Sequence, residues 1–139
     1  MPVDLNGDGE KQILFGNWEY DSSINGIWVY EVPTDPFSGT FVKYTITTGF
    51  EPSWKYAILG IGGPGFPFPF YPDGDTNSRA HILVNGHASD ELYLLTPIGD
   101  ASNYEYQRDT IVSQGAVIPH LAQGDLDGDG YNEIYMTNF

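Results

Sequence analysis

The chain has 139 residues, of which 40% are apolar and 15% aromatic, so we expect one folded domain with a core rather than a disordered chain. Nineteen acidic residues against five basic ones give a formal charge of −14, which argues against nucleic acids and anionic membranes as partners. Cysteine is absent and the apolar runs are much shorter than a membrane span, so we expect no disulfide, thiol chemistry or membrane insertion.

An acidic loop followed by three strands opens the chain. Residues 4–12 alternate oxygen-bearing side chains with glycine, and residues 12–16 form an apolar run that predicts a strand. Residues 27–32 have a strong strand pattern after an Asn-Gly turn, and residues 40–46 alternate as the next strand after a proline-rich turn. We therefore expect three consecutive antiparallel strands after the first loop.

The middle of the chain is rich in glycine, proline and aromatic residues. Residues 56–61 form a continuous apolar run, which predicts a strand that is buried on both faces. Residues 62–72 include alternating Phe and Pro, and since proline lacks the backbone donor of a sheet ladder, we predict an extended loop there. A second, weaker acidic loop follows at residues 73–81.

The second half of the chain repeats this order and ends with a third acidic loop. Residues 125–133 form that loop, and it leads into a β-forming run at residues 133–137. No segment holds a helical period over three turns, so the predicted class is all-β. The other strands of this half are predicted at residues 81–84, 91–96, 104–112 and 116–122.

The three acidic loops share one pattern of oxygen ligands. In the third loop, carboxylates occupy positions 1, 3, 5 and 9, and a glycine at position 6 allows the sharp bend. Carboxylates this close repel one another unless a cation neutralises them, and hard oxygen ligands on a tight turn favour Ca²⁺, with the backbone carbonyl of position 7 as a further ligand. The predicted ligands are Asp4, Asn6, Asp8, Glu10 and Gln12 in the first loop, Asp73, Asp75, Asn77 and Arg79 in the second, and Asp125, Asp127, Asp129, Tyr131 and Glu133 in the third.

Two alternatives to this calcium pattern are an EF-hand and a solvated acidic turn. An EF-hand needs a bidentate Glu at position 12, where the third loop has Met136 inside a predicted strand. The middle loop has Ser78 at position 6 and His81, a poor calcium ligand, at position 9. We therefore expect two ions, in the first and third loops, and leave a third ion in the middle loop open. Three ions would reduce the net charge from −14 to −8.

The order of these segments resembles that of a known family. A strand, a Gly-Asp-x-Asp-Gly-Asp-Gly loop and a second strand are similar to the FG-GAP/VCBS repeats of integrin-like β-propellers. The residues that carry the resemblance are 124–134, 4–13 and, less well, 73–82. The resemblance implies β-propeller-type blades of antiparallel strands, with the calcium loop between the first and second strands and about two blades in this chain. It implies no particular reaction.

We expect residues 1–139 to form a single propeller-like domain or a segment of one, with units at about residues 4–72 and 73–124 and a third that begins at residue 125. Two units leave open faces and an open edge, so we expect other copies of the chain, or the rest of a larger propeller, to complete the assembly. A free monomer is the less favoured state. Calcium loops of modest affinity favour an extracellular or cell-surface location.

The favoured function is a non-catalytic, calcium-stabilised binding or self-assembly module, forming a ring or a filament, because the carboxylates are used in the loops. A carbohydrate-binding, lectin-like propeller is one alternative, with a glycan as partner, since Trp18, Tyr20 and the Phe-Pro segment offer aromatic faces for sugars. The second alternative is that the chain is the propeller part of a polysaccharide-acting lyase or dehydratase. Its candidate acid–base residues are scattered and form no motif; they are His81, His87, His120, Asp90 and Asp109.

Overall fold

The computed structural model describes residues 1–51, 63–86, 91–113 and 120–137. These residues form antiparallel sheets and contain no α-helix, so the predicted all-β class is confirmed for them. The strand predicted at residues 56–61 lies outside the described ranges, as does most of the one predicted at residues 116–122.

The first sheet contains four strands in chain order. They are β1 (Pro2–Val3), β2 (Gln12–Asn17), β3 (Gly26–Glu31) and β4 (Val42–Thr48). Each is antiparallel to its neighbour, and the first acidic loop joins β1 to β2. The three strands predicted after this loop are confirmed. The last of them begins and ends later than its pattern indicated, and a turn in which the Gly39 N–H donates to the Asp35 carbonyl oxygen (2.7 Å) precedes it.

The second sheet has the same plan. Its strands, again in chain order and antiparallel, are β5 (Pro67–Phe70), β6 (His81–Asn85), β7 (Leu92–Pro97) and β8 (Tyr106–Val112). The second acidic loop joins β5 to β6. A short 3-10 helix at Ala101–Asn103 ends in Tyr104, whose left-handed backbone (φ 50°) delays the start of β8 relative to the predicted residue 104.

The Phe-Pro segment is an edge strand rather than the predicted loop. Proline is compatible with a sheet where its nitrogen points away from the neighbouring strand, a position that an edge strand provides. The Pro69 carbonyl oxygen accepts a hydrogen bond from Gln123 Nε2 (3.0 Å) and so points away from β6. Phe68 and Phe70 alternate with the prolines and pair with Leu83 and His81 of β6.

A two-stranded antiparallel sheet follows the second sheet. It consists of β9 (Leu121–Gly124) and β10 (Glu133–Met136), which the third acidic loop joins. Two amide side chains attach it to the end of β5: Gln123 Oε1 accepts from the Tyr71 N–H (3.0 Å), and Asn132 Nδ2 donates to the Tyr71 carbonyl oxygen (2.8 Å). The Asn132 N–H also donates to the Pro72 carbonyl oxygen (2.7 Å).

The main core lies between the two four-stranded sheets. It consists of aliphatic side chains on their facing sides and the buried rings of Phe50, Tyr93 and Tyr104. Removal of these side chains from water supplies the main favourable free energy of folding. The members with almost no exposure include Leu5, Leu14, Ile27 and Val29 from the first half and Ala80, Ile82, Val84 and Leu95 from the second.

A buried amide holds the segment after β4 against the start of β3. Asn25 is inaccessible to solvent. Its Nδ2 donates to the Phe50 carbonyl oxygen (2.6 Å), and its Oδ1 accepts from the Phe50 N–H (2.9 Å). One side chain therefore satisfies both backbone polar groups of a residue whose own ring is buried in the core.

We expect Asn25→Ala to lower the free energy of unfolding by about 2–4 kcal/mol, because it leaves a buried N–H and a buried carbonyl of Phe50 without partners. Asn103→Ala, at an exposed position, serves as the control and changes stability by less than about 0.5 kcal/mol. Denaturant titration measures both. Equal losses in the two variants would contradict this role of Asn25.

Candidate metal centre

The third acidic loop brings four carboxylates together between β9 and β10. Asp125, Asp127, Asp129 and Glu133 each offer one oxygen, and these oxygens lie within 4.8 Å of one another. The aspartates are exposed and Glu133 is half-buried. Four negative charges at this separation repel one another, and a bound cation removes that repulsion. This group is therefore able to hold a metal ion.

Backbone donors fix the carboxylates of the third loop. The position 1 carboxylate (Asp125) accepts from the N–H groups of positions 4 and 6, at 2.7 and 3.0 Å. The side chains of positions 3 and 5 accept from the N–H groups of positions 5 and 7, at 3.1 and 2.8 Å. Glu133, at position 9, accepts from the N–H of position 2, at 2.9 Å. Each carboxylate keeps further lone pairs for a cation.

The first acidic loop has the same hydrogen-bond frame. Asp4 accepts from the N–H groups of positions 4 and 6 (2.7 and 2.9 Å), and the side chains of positions 3 and 5 accept from those of positions 5 and 7 (3.3 and 2.8 Å). Gln12, at position 9, accepts from the N–H of position 2 (2.8 Å). Two loops more than a hundred residues apart in the chain thus adopt one geometry.

Amides replace two of the acids in the first loop. Gln12 Nε2 donates to Asn6 Oδ1 (3.2 Å), and Asn6 Nδ2 donates to Asp8 Oδ2 (2.8 Å). These contacts link the side chains of positions 3, 5 and 9 to one another. The first loop therefore has fewer carboxylates than the third. Its position 1 carboxylate (Asp4) is also almost buried, whereas Asp125 is exposed.

Two glycines with left-handed backbones shape each of these loops. They are Gly7 (φ 76°) and Gly9 (φ 89°) in the first, and Gly128 (φ 81°) and Gly130 (φ 94°) in the third. The loop pattern predicted a need for glycine at position 6 only. The glycine at position 4 was the missed signal, because it turns the N–H of that residue towards the position 1 carboxylate.

The middle loop does not have this frame. Asp73 accepts from the N–H of Asp75 (3.1 Å) rather than from positions 4 and 6, and position 4 is Thr76. The middle loop shares with the other two loops only the hydrogen bond from the N–H of position 5 (Asn77) to the side chain of position 3 (2.9 Å). Ser78 closes a turn by donating its N–H and hydroxyl to the Asp75 carbonyl oxygen (3.1 and 2.7 Å). Weaker metal binding here stays a prediction.

The side chains at positions 7 and 9 of the middle loop also differ in kind. Arg79 Nη1 donates to the carbonyl oxygens of Ile98 and Gly99 (3.3 and 3.1 Å), so its guanidinium stabilises the turn after β7. Burial lowers the pKa of His81, against an opposing effect of the Asp73 charge. Position 9 of the middle loop is thus an imidazole where the third loop has the Glu133 carboxylate, and position 7 adds a guanidinium charge.

Tyrosine hydroxyls contact the first and third loops, and no pattern in the sequence predicts these contacts. Tyr135 donates to Glu133 Oε2 (3.1 Å); burial raises the pKa of Tyr135, and the bond to Glu133 raises it further. Near the first loop, Tyr104 donates to Glu31 Oε1 (3.1 Å) and accepts from Asn6 Nδ2 (3.5 Å). Burial, followed by the Glu31 charge, raises the Tyr104 pKa well above its usual range, so the hydroxyl remains a donor.

Three surface clefts are lined by residues within the described ranges. One of about 1000 Å³ borders the first loop and the Glu31–Pro36 hairpin, and two of about 430 and 200 Å³ share Phe66, with Phe15 in the first and Trp18 in the second. Among the residues that the structure describes, the candidate acid–base groups His81, His120 and Asp109 line none of these three clefts. The other two, His87 and Asp90, lie outside the described ranges.

Comparison of the chain with protein-family models, with curated protein sequences and with solved structures gives no match. The resemblance to FG-GAP/VCBS propellers therefore stays a prediction from the motifs. Within the described ranges, the structure contains no helix that is long and apolar enough to cross a membrane.

We expect Gly9→Ala to lower the free energy of unfolding by about 1–2 kcal/mol, the usual penalty for a non-glycine residue in the left-handed region. A Cβ on Gly9 would meet nothing within 4 Å, so the backbone conformation alone causes the loss. Gly124→Ala is the matched control, since it is equally open but has no positive φ. Similar unfolding free energies for the two variants in denaturant titrations would be evidence against this interpretation.

Proposed function

We propose that the chain is a calcium-stabilised, non-catalytic module for extracellular binding or self-assembly, in which the first and third acidic loops each hold one Ca²⁺. The observation that carries this proposal is the hydrogen-bond frame that the two loops share, together with the four clustered carboxylates of the third. Side chains at positions 1, 3, 5 and 9 and the position 7 carbonyl would be the ligands.

Calcium fits these ligands better than other common ions. All the side-chain ligands are oxygens, which argues against Zn²⁺ and copper, since those ions favour nitrogen and sulfur. Mg²⁺ requires nearly ideal octahedral geometry and keeps several waters, whereas Ca²⁺ accepts a larger and more flexible set of carboxylate, amide and carbonyl oxygens. The exposed third loop suits the weaker affinities of extracellular calcium modules, which supports the proposed location outside the cell.

A propeller-type arrangement is part of the proposal. Two four-stranded antiparallel sheets in chain order, each with an acidic loop between its first and second strands, support it. In this arrangement a bound ion would join the two strands on either side of its loop. The module would then owe part of its stability to calcium, since an ion that binds only the folded loop stabilises the fold.

Carbohydrate binding is the second candidate. Trp18 and Phe66 are 54% and 84% exposed and border the cleft of about 200 Å³, which also contains Pro64 and Gly65. Exposed aromatic faces favour a sugar ligand. The cleft is lined mainly by apolar groups, however, whereas orientation of a sugar needs polar partners for its hydroxyls. This candidate is therefore the less supported one.

We expect isothermal calorimetry of the 139-residue chain to show two Ca²⁺ sites and to show one site for Asp127→Ala. Loss of the position 3 carboxylate removes one ligand of the ion. It also removes the acceptor for the position 5 N–H, which helps to orient the neighbouring ligand. Asp75→Ala is the matched control, because it makes the same change at position 3 of the middle loop. It should retain both sites.

Two results would contradict calcium binding by the first and third loops. One is the absence of binding by the wild-type chain at millimolar Ca²⁺. The other is a lower number of sites in Asp75→Ala with no change in Asp127→Ala. A thermal melt with and without chelator gives an independent reading, since calcium at a hundredfold excess over Kd should stabilise the fold by about 2.7 kcal/mol for each independent site.

A further inference from the structure

Tyr104 connects the core between the two four-stranded sheets with the first acidic loop. It precedes β8 of the second sheet, and its side chain is 1% exposed and belongs to the core. Its ring contacts that of Tyr44 in β4, with centroids 4.9 Å apart. Its hydroxyl donates to Glu31 Oε1 (3.1 Å) and accepts from Asn6 Nδ2 (3.5 Å). A residue next to the second sheet therefore reaches position 3 of the first loop.

The backbone of Tyr104 has an unusual conformation for a tyrosine. Its φ of 50° is left-handed, and among the described residues it is the only one besides glycine with a positive φ. This region is unfavourable for a residue with a Cβ, and such strain persists where the surrounding structure requires the side chain. Two features of Tyr104 meet that requirement, the packing of the ring and the contacts of the hydroxyl. They are separable, because phenylalanine retains the ring and removes the hydroxyl.

Glu31 decides the direction of the hydrogen bonds at the Tyr104 hydroxyl. An ionised carboxylate only accepts, so the hydroxyl donates its proton to Glu31 and keeps its lone pairs for the Asn6 amide. Burial raises the pKa of Tyr104, and the charges of Glu31 and Asp8 raise it further. The hydroxyl therefore keeps its proton and remains an acceptor towards Asn6.

The Asn6 amide has one end that can bind a cation and one end that cannot. A half-turn of the amide exchanges Oδ1, which accepts, for Nδ2, which donates. The Tyr104 hydroxyl and Asp8 Oδ2 (2.8 Å) are both acceptors, so they require Nδ2 at their end of the amide. Oδ1 then accepts from the Asp8 N–H (3.3 Å) and Gln12 Nε2 (3.2 Å). The contact with Tyr104 thus favours one of the two orientations of this predicted ligand.

The third loop differs at the same position. Its position 3 is Asp127, a carboxylate whose two oxygens are chemically equivalent, so a half-turn changes nothing. Its neighbouring tyrosine, Tyr135, donates to position 9 instead, at Glu133 Oε2 (3.1 Å). The hydroxyl contact at position 3 therefore occurs in the loop whose position 3 ligand has to be oriented.

We propose that Tyr104 is a positioning residue of the first calcium site, and that its hydroxyl, with Glu31 as acceptor, favours the Asn6 orientation that leaves Oδ1 for the ion. This inference rests on calcium binding by the first loop, which is part of the proposed function. It adds to that site two residues from outside the loop. Because hydrogen bonds in a chain polarise one another, the Glu31 charge also strengthens the contact between Tyr104 and Asn6.

Calorimetry of Ca²⁺ binding to the Asp127→Ala chain tests the proposal, since by the proposed function that chain retains the first site alone. Tyr104→Phe should weaken binding there by about tenfold, at the lower end of the usual effect of residues that orient metal ligands. Tyr44→Phe is the matched control. It removes a hydroxyl that donates to the other oxygen of Glu31 (3.3 Å) rather than one that contacts Asn6. It should bind Ca²⁺ as the parent chain does.

The same comparison in an Asn6→Asp background separates orientation of the amide from packing of the ring. A carboxylate at position 3 has no wrong end, so Tyr104→Phe should no longer weaken binding there. A purely structural contribution of Tyr104 would weaken binding equally in both backgrounds. Circular dichroism checks that each variant is folded. Glu31→Gln replaces Tyr104→Phe if the latter unfolds, because without a carboxylate acceptor the hydroxyl proton is free to turn towards Asn6.

Equal affinities of the Tyr104→Phe and parent chains overturn the proposal, as does an equal loss in the two backgrounds. A loss in Tyr44→Phe as large as that in Tyr104→Phe also overturns it, since calcium binding would then depend on Glu31 and not on the contact with Asn6. These results leave calcium binding by the first loop in place. An Asp127→Ala chain that binds no Ca²⁺ contradicts both the positioning role and the proposed function.

Discussion

The first loop depends on a carboxylate that is almost withdrawn from water. Asp4 is 9% exposed and accepts hydrogen bonds from two backbone N–H groups, at 2.7 and 2.9 Å. A buried charge is costly unless it is paired, and two N–H dipoles compensate for part of that cost. A cation would compensate for the remainder. The flanking residues Val3 and Leu5 lie in the core. Neutralisation of the Asp4 charge would therefore stabilise the packing of β1 and the loop on the first sheet.

The repeated plan of the chain has a consequence for its surfaces. The two faces of each sheet are chemically different, and the second sheet packs one of its faces onto the opposite face of the first. An interface of this kind joins unlike faces, and the rotation between units decides whether a series of them closes into a ring or continues as a filament. Among the described residues, Val84 and Leu5 are buried between the two sheets, whereas Phe15 and Leu126 are exposed.

The local patterns in the sequence predicted most of the fold. Runs of apolar and β-forming residues indicated β2, β3, β6 and β7, and the spacing of oxygen side chains indicated the acidic loops. The edge strand β5 was missed, because the compatibility of proline with a strand depends on which side of the strand is paired. The contacts of Tyr104 with Glu31 and of Gln123 with Pro69 join distant parts of the chain, and no local pattern reports them. The middle loop has Thr76 and Ser78 at the two positions where the other loops have glycines with left-handed backbones.

A crystal structure of the 139-residue chain grown in millimolar Ca²⁺, with anomalous scattering to identify the ions, tests calcium binding most directly. Calcium binding by the shared frame predicts one ion in the first loop and one in the third, each coordinated at about 2.3–2.6 Å by side-chain oxygens of positions 1, 3, 5 and 9 and by the position 7 carbonyl. It also predicts a weaker signal, or none, at Asp73 and Asp75. First and third loops without an anomalous signal, in a crystal that contains millimolar Ca²⁺, would contradict it.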